Sequence, residues 1–183
     1  MRFKHAFNIA AILAALVLNP HIAEAAKLTV GQPAPPLVLT TLDGHHLATR
    51  DMLGEVVIVT FWATWCGPCH KELPLLSDYA ARHASQGLRV LAFTLDTPDA
   101  LPEVRSMAST LSFPTGFLGS AWAGDYGRIW HIPVSFVIGR DGRLVDNGWN
   151  DHEPTWTAER LQQVVDPLLA SPPKGIEPAA GAK

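Results

Sequence analysis

Apolar runs rich in β-branched residues alternate with segments of helical spacing through the middle of the chain. Such runs, when turn residues bound them, are typical of strands that are buried on both faces of a sheet. The predicted strands cover residues 55–61, 88–95, 113–118, 134–138 and 144–147. Apolar residues three and four positions apart predict helices between them. The predicted helices cover residues 68–84, 99–111, 121–129 and 155–170, with Thr155 or Thr157 as the N-cap of the last.

Two shorter apolar segments precede these elements. Residues 37–41 and 46–49 flank Asp43 and Gly44, and this pattern predicts a β-hairpin with a tight turn. The order hairpin, strand, helix, strand, helix, strand, helix, strand, strand, helix is typical of an α/β fold. It predicts a mixed central sheet with helices on both faces and two parallel strands around the first helix.

The two ends of the chain differ in composition from its middle. Residues 1–25 begin with positive charge, continue with the largely apolar residues 6–18 and end on Ala-Glu-Ala, which is the pattern of a secretory signal peptide. An uncleaved membrane anchor is the alternative, although the apolar stretch is short for a helix that spans a bilayer. Residues 171–183 are rich in proline, alanine and glycine, which predicts a disordered tail. The predicted folded domain is therefore residues 28–170.

Size and charge narrow the range of functions. The chain has 183 residues, of which 48% are apolar, and this is enough for one domain with a substantial core. The formal net charge is −3 and no block of basic residues is present. Neither a nucleic acid nor an anionic membrane surface is therefore an expected partner.

Both cysteines of the chain lie in one Cys-x-x-Cys motif, between the predicted strand 55–61 and the predicted helix 68–84. This context predicts a redox-active pair. Cys66 is expected just outside the helix N-terminus, where unpaired N–H groups and the helix dipole stabilise a thiolate. Pro68 suits the first helical position, and Cys69 lies further in and is more covered. The sequence predicts that Cys66 attacks a partner disulfide and that Cys69 resolves the mixed disulfide.

Other uses of the motif fit the sequence less well. Zinc half-sites usually bring a second cysteine pair, which this chain lacks. A copper or zinc chaperone that uses Cys66 and Cys69 with His70 or His131 stays as the alternative function. A structural disulfide across so short a loop removes little entropy from the unfolded chain. A peroxidase is expected to carry a threonine three residues before its reactive cysteine, where this chain has Ala63.

Five sequence motifs lie along the predicted domain. They are Val-Gly-Gln-Pro-Ala-Pro at 30–35, Leu-Asp-Gly at 42–44, Val-Thr-Phe-Trp-Ala-Thr-Trp-Cys-Gly-Pro-Cys at 59–69, Glu-Leu-Pro at 72–74 and Ile-Pro-Val-Ser-Phe-Val-Ile-Gly-Arg-Asp-Gly at 132–142. Together they resemble the exported thioredoxin-like proteins of the TlpA/ResA type, which are thiol:disulfide oxidoreductases. The resemblance covers residues 28–169. It implies a thioredoxin-like fold, in which the hairpin is an N-terminal extension and residues 113–129 form a strand–helix insertion.

The resemblance also implies an activity and its partners. Proteins of this type exchange disulfides with protein substrates, and some act in cytochrome c maturation. We therefore expect a periplasmic enzyme that uses no cofactor beyond the Cys66–Cys69 dithiol. Gly67 and Pro68 form the dipeptide of reducing thioredoxins, so a reductant is expected. Such a reductant needs a membrane-embedded electron donor, and an oxidised cytochrome c precursor is one expected substrate.

The resemblance assigns roles to residues outside the cysteine pair. Pro133 matches a proline that follows a cis peptide bond and lies against the cysteines, and Ile132 would pair through its backbone with an incoming peptide. The alternative is a trans proline that begins a strand. Glu72 matches a helix glutamate that moves the cysteine proton, which suits a partly buried carboxylate with a raised pKa. The alternative is an exposed glutamate that favours the helix start.

One position departs from the thioredoxin pattern. Thioredoxins place a buried aspartate six residues before the first cysteine, where this chain has Thr60. The proton role that the resemblance implies therefore shifts to Glu72. Trp65 is expected to wall the cysteine loop and to contact the substrate together with Gly67 and Pro68.

Three further aromatic and imidazole side chains are expected to have no catalytic role. Trp62 is expected to pack inside the domain. His70 stands where the motif usually has a lysine, and we expect a solvated helix residue there. The alternative is a residue that tunes the cysteine thiolates. His131 is expected to be a surface residue near the substrate groove.

Overall fold

The structure, a computed structural model, describes residues 28–150 and 155–171. The predicted leader at 1–25 and the predicted tail after Ser171 lie outside the described residues. Within the described ranges the strands are β1 (Val38–Thr40), β2 (His46–Ala48), β3 (Val56–Trp62), β4 (Leu88–Thr94), β5 (Thr115–Phe117), β6 (Val134–Ile138) and β7 (Leu144–Asn147). The α-helices there are α1 (Gly67–His83), α2 (Leu101–Ala108), α3 (Ala158–Val164) and α4 (Asp166–Ala170). None of these described helices is long and apolar enough to cross a bilayer.

Five strands form one mixed sheet in the order β5-β4-β3-β6-β7. Strand β3 pairs in parallel with β4 on one side and antiparallel with β6 on the other. Strands β1 and β2 form a separate antiparallel hairpin, which confirms the predicted N-terminal extension. The parallel connection from β3 to β4 runs through α1. The end of β3 and the start of α1 therefore form the junction that carries both cysteines.

Strand β3 is central in the sheet, and all its residues are buried. Its side chains alternate between two apolar cores. Ile58 and Trp62 belong to the core beneath the helices, whereas Val57 and Phe61 belong to the core on the opposite face. Because both faces of the strand are covered, its sequence is apolar at every position except Thr60 and does not alternate.

The helices cover one face of the sheet and not both. Buried residues of all four α-helices belong to a single core. The other face is covered by the β1–β2 hairpin and by the loop of residues 118–130, through Leu39, Tyr126 and Ile129. The expectation of helices on both faces is therefore wrong, because the N-terminal hairpin and this loop occupy the second face.

The hairpin is attached to the edge of the sheet through a glycine. A Cβ atom on Gly116 of β5 would lie 1.9 Å from the carbonyl oxygen of Thr40, so only glycine permits this approach. The backbone N–H of Leu42 also donates to the carbonyl oxygen of Thr115 at 3.0 Å. These contacts fix the hairpin against β5.

The helix predicted over residues 121–129 is not formed. The segment folds back on itself, because the Ile129 N–H donates to the Ala121 carbonyl oxygen at 2.8 Å. One 3₁₀ turn, Gly124–Tyr126, is all that is helical within it. Gly124 and Gly127 have φ angles of 54° and 86°, a conformation that suits a turn and not a right-handed helix. The insertion therefore contains the predicted strand, β5, but a loop in place of the helix.

The predicted closing helix over residues 155–170 is two helices, α3 and α4. Thr157 is the N-cap of α3, and its hydroxyl accepts a hydrogen bond from the Arg160 N–H at 3.2 Å. The interruption falls at Val165, just before Asp166 and Pro167. A proline has no N–H to continue the helical ladder and disfavours helical geometry in the residue before it.

Candidate active site

The cysteine pair lies at the N-terminus of α1. Cys66 is the N-cap residue, and its Sγ accepts a hydrogen bond from the backbone N–H of Cys69 at 3.2 Å. The two cysteines form a disulfide. Cys66 is 4% exposed and Cys69 is fully buried, so Cys66 offers the sulfur that a partner can reach. A thiolate there would face the unpaired N–H groups of the helix start, which lower a thiol pKa.

The helix begins one residue earlier than predicted. Gly67 is the first helical residue, and Pro68 is the second. Proline is tolerated there because the N–H of the second residue also lacks a partner within the helix. Cys69 is consequently the third helical residue. Its N–H has no backbone partner within the helix and donates to the Cys66 sulfur instead.

Two side chains hold the loop that precedes Cys66. Asp96 follows β4, and its carboxylate accepts hydrogen bonds from the Thr64 N–H at 2.8 Å and the Thr64 hydroxyl at 2.7 Å. His70 of α1 donates from Nε2 to the Thr64 carbonyl oxygen at 2.6 Å. His70 is exposed, as expected, but it also binds this loop. Sequence reasoning missed Asp96, although the ends of parallel strands β3 and β4 meet at one edge of the sheet.

We expect Asp96→Ala to lower the free energy of unfolding by about 2–3 kcal/mol, because it leaves the Thr64 N–H without its partner. Urea denaturation at fixed pH measures the change. Asp99→Ala is the matched control, since Asp99 is exposed and accepts a hydrogen bond from the nearby Thr97 hydroxyl. It should change stability by less than about 0.5 kcal/mol. Equal stabilities of the two variants would contradict a holding role for Asp96.

Glu72 lies three residues after Cys69 on α1 and is 1% exposed. Its Oε2 accepts a hydrogen bond from the backbone N–H of Trp156 at 2.9 Å, whereas Oε1 is buried without a partner among the described residues. Burial raises the pKa of Glu72 to about 7, against the opposing influences of the Trp156 N–H and the Arg160 charge. An exposed, merely helix-favouring glutamate is thus excluded. A carboxyl group with this pKa can accept and return a proton near neutral pH.

A hydroxyl pair occupies the position of the thioredoxin aspartate. Thr60 is fully buried in β3, and its hydroxyl accepts a hydrogen bond from the hydroxyl of Ser135 at 2.9 Å. Ser135 faces Thr60 directly across the β3–β6 pair. The threonine that replaces the thioredoxin aspartate is therefore neutral and has a hydrogen-bond partner. The sequence did not reveal that this partner is Ser135.

The segment before β6 contains a cis peptide bond between Ile132 and Pro133, as the resemblance implies. Pro133 is buried and Ile132 is half-buried. His131 is half-buried too, and its ring centroid lies 4.1 Å from that of Trp130 and 5.1 Å from that of Trp149. Burial lowers the pKa of His131 and favours its neutral form. His131 is therefore a half-buried surface residue that also contacts two indole rings.

Trp65 is 68% exposed and stands between two surface grooves, whereas Trp62 is fully buried. One groove, of about 550 Å³, is lined by Trp65, His70 and residues of α2. The other, of about 270 Å³, is lined by Trp65, the segment 95–98 and the segment 119–121. The indole of Trp65 thus forms a wall directly beside the cysteine loop.

Metal-ligating side chains are not grouped in the described part of the chain. Within residues 28–150 and 155–171, no three histidine, cysteine, aspartate or glutamate side chains are placed to hold a metal ion. The arrangement around Cys66 and Cys69 instead supplies a reachable sulfur, a sheltered second sulfur and a buried carboxyl group that can titrate. These are the groups that thiol–disulfide exchange uses.

Comparisons with known proteins agree with this chemistry. The model of the AhpC/TSA family matches residues 30–147. The thiol-disulfide oxidoreductase ResA of Bacillus thuringiensis (strain Al Hakam) is 32% identical over 125 residues, which cover 68% of this chain and 72% of that protein. The thioredoxin-like protein YneN of Bacillus subtilis (strain 168) is 30% identical over 139 residues, which cover 74% of this chain and 78% of that protein.

A solved structure has the same fold. It is that of a thiol:disulfide interchange protein, a thioredoxin family protein, from Chlorobium tepidum TLS. The TM-score is 0.64 and the sequence identity is 26%. The match covers 75% of this chain and 96% of that one.

Proposed function

The chain belongs to the AhpC/TSA family and is a thiol-disulfide oxidoreductase with a thioredoxin-like fold, and from this premise we propose that it reduces disulfides of exported proteins. The observation that carries the proposal is the contrast between Cys66, which caps α1 and keeps 4% of its surface exposed, and Cys69, which is fully buried three residues further along. The Cys66 sulfur would attack the partner disulfide, and the Cys69 sulfur would then resolve the mixed disulfide.

The proposed reaction has two exchange steps. The thiolate of Cys66 attacks one sulfur of the partner disulfide, a bond forms between them, and the other partner sulfur leaves as a thiolate. The thiolate of Cys69 then attacks the Cys66 sulfur, closes the Cys66–Cys69 disulfide and releases the second partner thiolate. Two electrons pass to the partner.

Glu72 serves the second step in this proposal. Cys69 must lose its proton in a site with no access to solvent. Glu72 lies on the same helix face, and its pKa of about 7 lets it take up that proton near neutral pH. The hydroxyl pair of Thr60 and Ser135 does not ionise, so it cannot substitute for this carboxylate.

The substrate-contacting surface is proposed around the cysteine loop. Trp65, Gly67 and Pro68 are exposed beside Cys66 and would contact the partner polypeptide. The resemblance to the TlpA/ResA type supports a peptide-binding role for Ile132, whose backbone would pair with an extended peptide as a strand does.

The sequence supports proposals for the place of action and for the direction of electron flow. The signal-like residues 1–25 support export to the periplasm, where a membrane-embedded donor would regenerate the dithiol. The Gly67-Pro68 dipeptide of reducing thioredoxins supports a reductant. An oxidised cytochrome c precursor is the substrate that we propose to examine first.

An insulin-reduction assay tests the general proposal. The protein is first reduced with dithiothreitol, freed of it, and mixed with insulin at several molar ratios. We expect the reduced protein to cleave about one insulin disulfide per molecule while its own disulfide re-forms, measured by thiol counting. A reduced wild-type protein that transfers no electrons to insulin or to an oxidised cytochrome c peptide would refute the proposal.

A further inference from the structure

Arg160 of α3 is joined to the site by two contacts. Its guanidinium carbon lies 4.2 Å from the ring centroid of Trp156, one helical turn earlier. Its Nη2 lies 2.6 Å from Oδ2 of Asp146 on β7. The side chains of Arg160 and Asp146 are only 15% and 18% exposed, so salt screens this charge less than it would screen a surface arginine.

Trp156 connects Arg160 to Glu72. Its indole is 2% exposed and supports the guanidinium, while its backbone N–H donates to Glu72 Oε2 at 2.9 Å. The guanidinium thereby stacks on the residue that hydrogen-bonds Glu72, and its charge lowers the pKa of that carboxyl group. A fixed positive charge stabilises the ionised carboxylate, and burial acts in the opposite direction.

Few other buried ionisable groups lie on the described elements around Glu72. On α1 they are Cys66, Cys69 and Tyr79, which donates a hydrogen bond to Asp166 of α4. The other ionisable side chains of α1 near it are exposed, namely His70, Lys71, Asp78 and Arg82. The adjacent strand β3 contributes apolar residues and Thr60, which do not ionise. Beyond these, α3 contributes Arg160 and β7 contributes Asp146. Arg160 is therefore the cation on these elements that acts on Glu72.

We propose that Arg160, stacked on Trp156 and anchored by Asp146, is a positioning residue that sets the pH range in which Glu72 accepts a proton from Cys69. The inference rests on the proposed function for its consequence, but the coupling between Arg160 and Glu72 can be measured without any substrate. It assigns a catalytic consequence to a residue on the C-terminal helices, outside the cysteine motif.

The test is an NMR titration of the Glu72 carboxyl carbon in the oxidised, full-length protein, with Glu72→Gln to assign the signal. Arg160→Gln and Arg160→Met remove the charge, and the methionine keeps an apolar stem against Trp156. Both should raise the titration midpoint of Glu72 by about one pH unit. Arg160→Lys should restore most of the wild-type midpoint.

Arg89→Gln is the matched control. Arg89 also forms a 2.6 Å ion pair, with Glu55, but it lies on β4 at the end of the sheet opposite the cysteines. Its loss should leave the Glu72 midpoint unchanged. Thermal unfolding of all variants separates charge effects from loss of structure.

The outcomes distinguish the two proposals. If the charge-removing variants keep the wild-type midpoint, the inference is overturned, and a lower melting temperature would then show that Arg160 is only structural. If the midpoints shift as expected, the pH dependence of mixed-disulfide release in the same variants should shift in the same direction, and an unshifted profile would also overturn it. A wild-type protein that reduces no disulfide would refute the proposed function, whereas the titration would still report the coupling.

Discussion

Replacement of Cys66 by serine should lower the rate of disulfide reduction by about a thousandfold or more. The serine hydroxyl does not ionise at neutral pH and cannot form a disulfide with a partner. The variant therefore cannot attack the partner disulfide. Cys66 occupies the N-cap, a position that serine suits well, so the variant should fold. The measurement is insulin reduction with dithiothreitol as the donor and with the uncatalysed rate subtracted.

Cys69→Ala separates the two cysteines by their roles. Cys66 remains able to attack, but nothing resolves the product, so the variant should accumulate a mixed disulfide with its partner. Non-reducing electrophoresis and mass spectrometry detect the adduct and identify the partner peptide. A Cys66→Ser variant as active as wild type, or a Cys69→Ala variant that releases its partner at the wild-type rate, would contradict these assignments.

Glu72 should make the oxidised protein less stable as the pH rises. Its pKa is raised from 4.5 to about 7 in the folded state, so the folded protein binds the proton more tightly than the unfolded chain. The stability is full below pH 4.5 and is lost as the pH rises through about 7. The loss amounts to about 3 kcal/mol at pH 8.

Glu72→Gln removes this pH dependence and keeps an oxygen that can accept the Trp156 N–H. Urea denaturation of both oxidised proteins at pH 5 and pH 8 measures the effect, and comparing the two cancels the contributions of other groups. We expect the variant to gain about 2–3 kcal/mol relative to wild type between these two pH values, because part of the loss in wild type has already occurred at pH 5. A constant difference between the two proteins would show that Glu72 is ionised throughout and does not act as a base near neutral pH.

The parts of the fold that sequence predicts well are those that local pattern decides. Strand β3 is apolar apart from Thr60 because both its faces are covered, and α1 begins within one residue of the position that Pro68 predicts. The hairpin of β1 and β2 follows from its turn residues. Each of these features depends on side chains that are close in sequence.

Other features depend on contacts that no local pattern contains. Residues 121–129 have the composition of a short helix, but Gly124 and Gly127 adopt turn conformations, and the segment instead covers the sheet through Tyr126 and Ile129. The β1–β2 hairpin covers the rest of this sheet face, where the order of elements predicts a helix. The break between α3 and α4 is different, because Pro167 is a local signal in the sequence. The prediction of one helix over residues 155–170 did not use it.

The candidate site divides in the same way. The cysteine motif, Glu72 and the Ile132-Pro133 pair are found by their sequence context. Asp96 and Trp156 contact the site from 32 and 84 positions away in sequence, and they are found only when the chain is folded. The same is true of Arg160, which stacks on Trp156.

The acidity of the Cys66 thiol tests the central claim most directly. The rate of iodoacetamide alkylation, measured against pH in the Cys69→Ala variant, reports the thiolate fraction of that single sulfur. We expect an apparent pKa at least about one unit below the 8.5 of a free cysteine, because the helix start stabilises the thiolate. An apparent pKa of about 8.5 or higher would contradict the account.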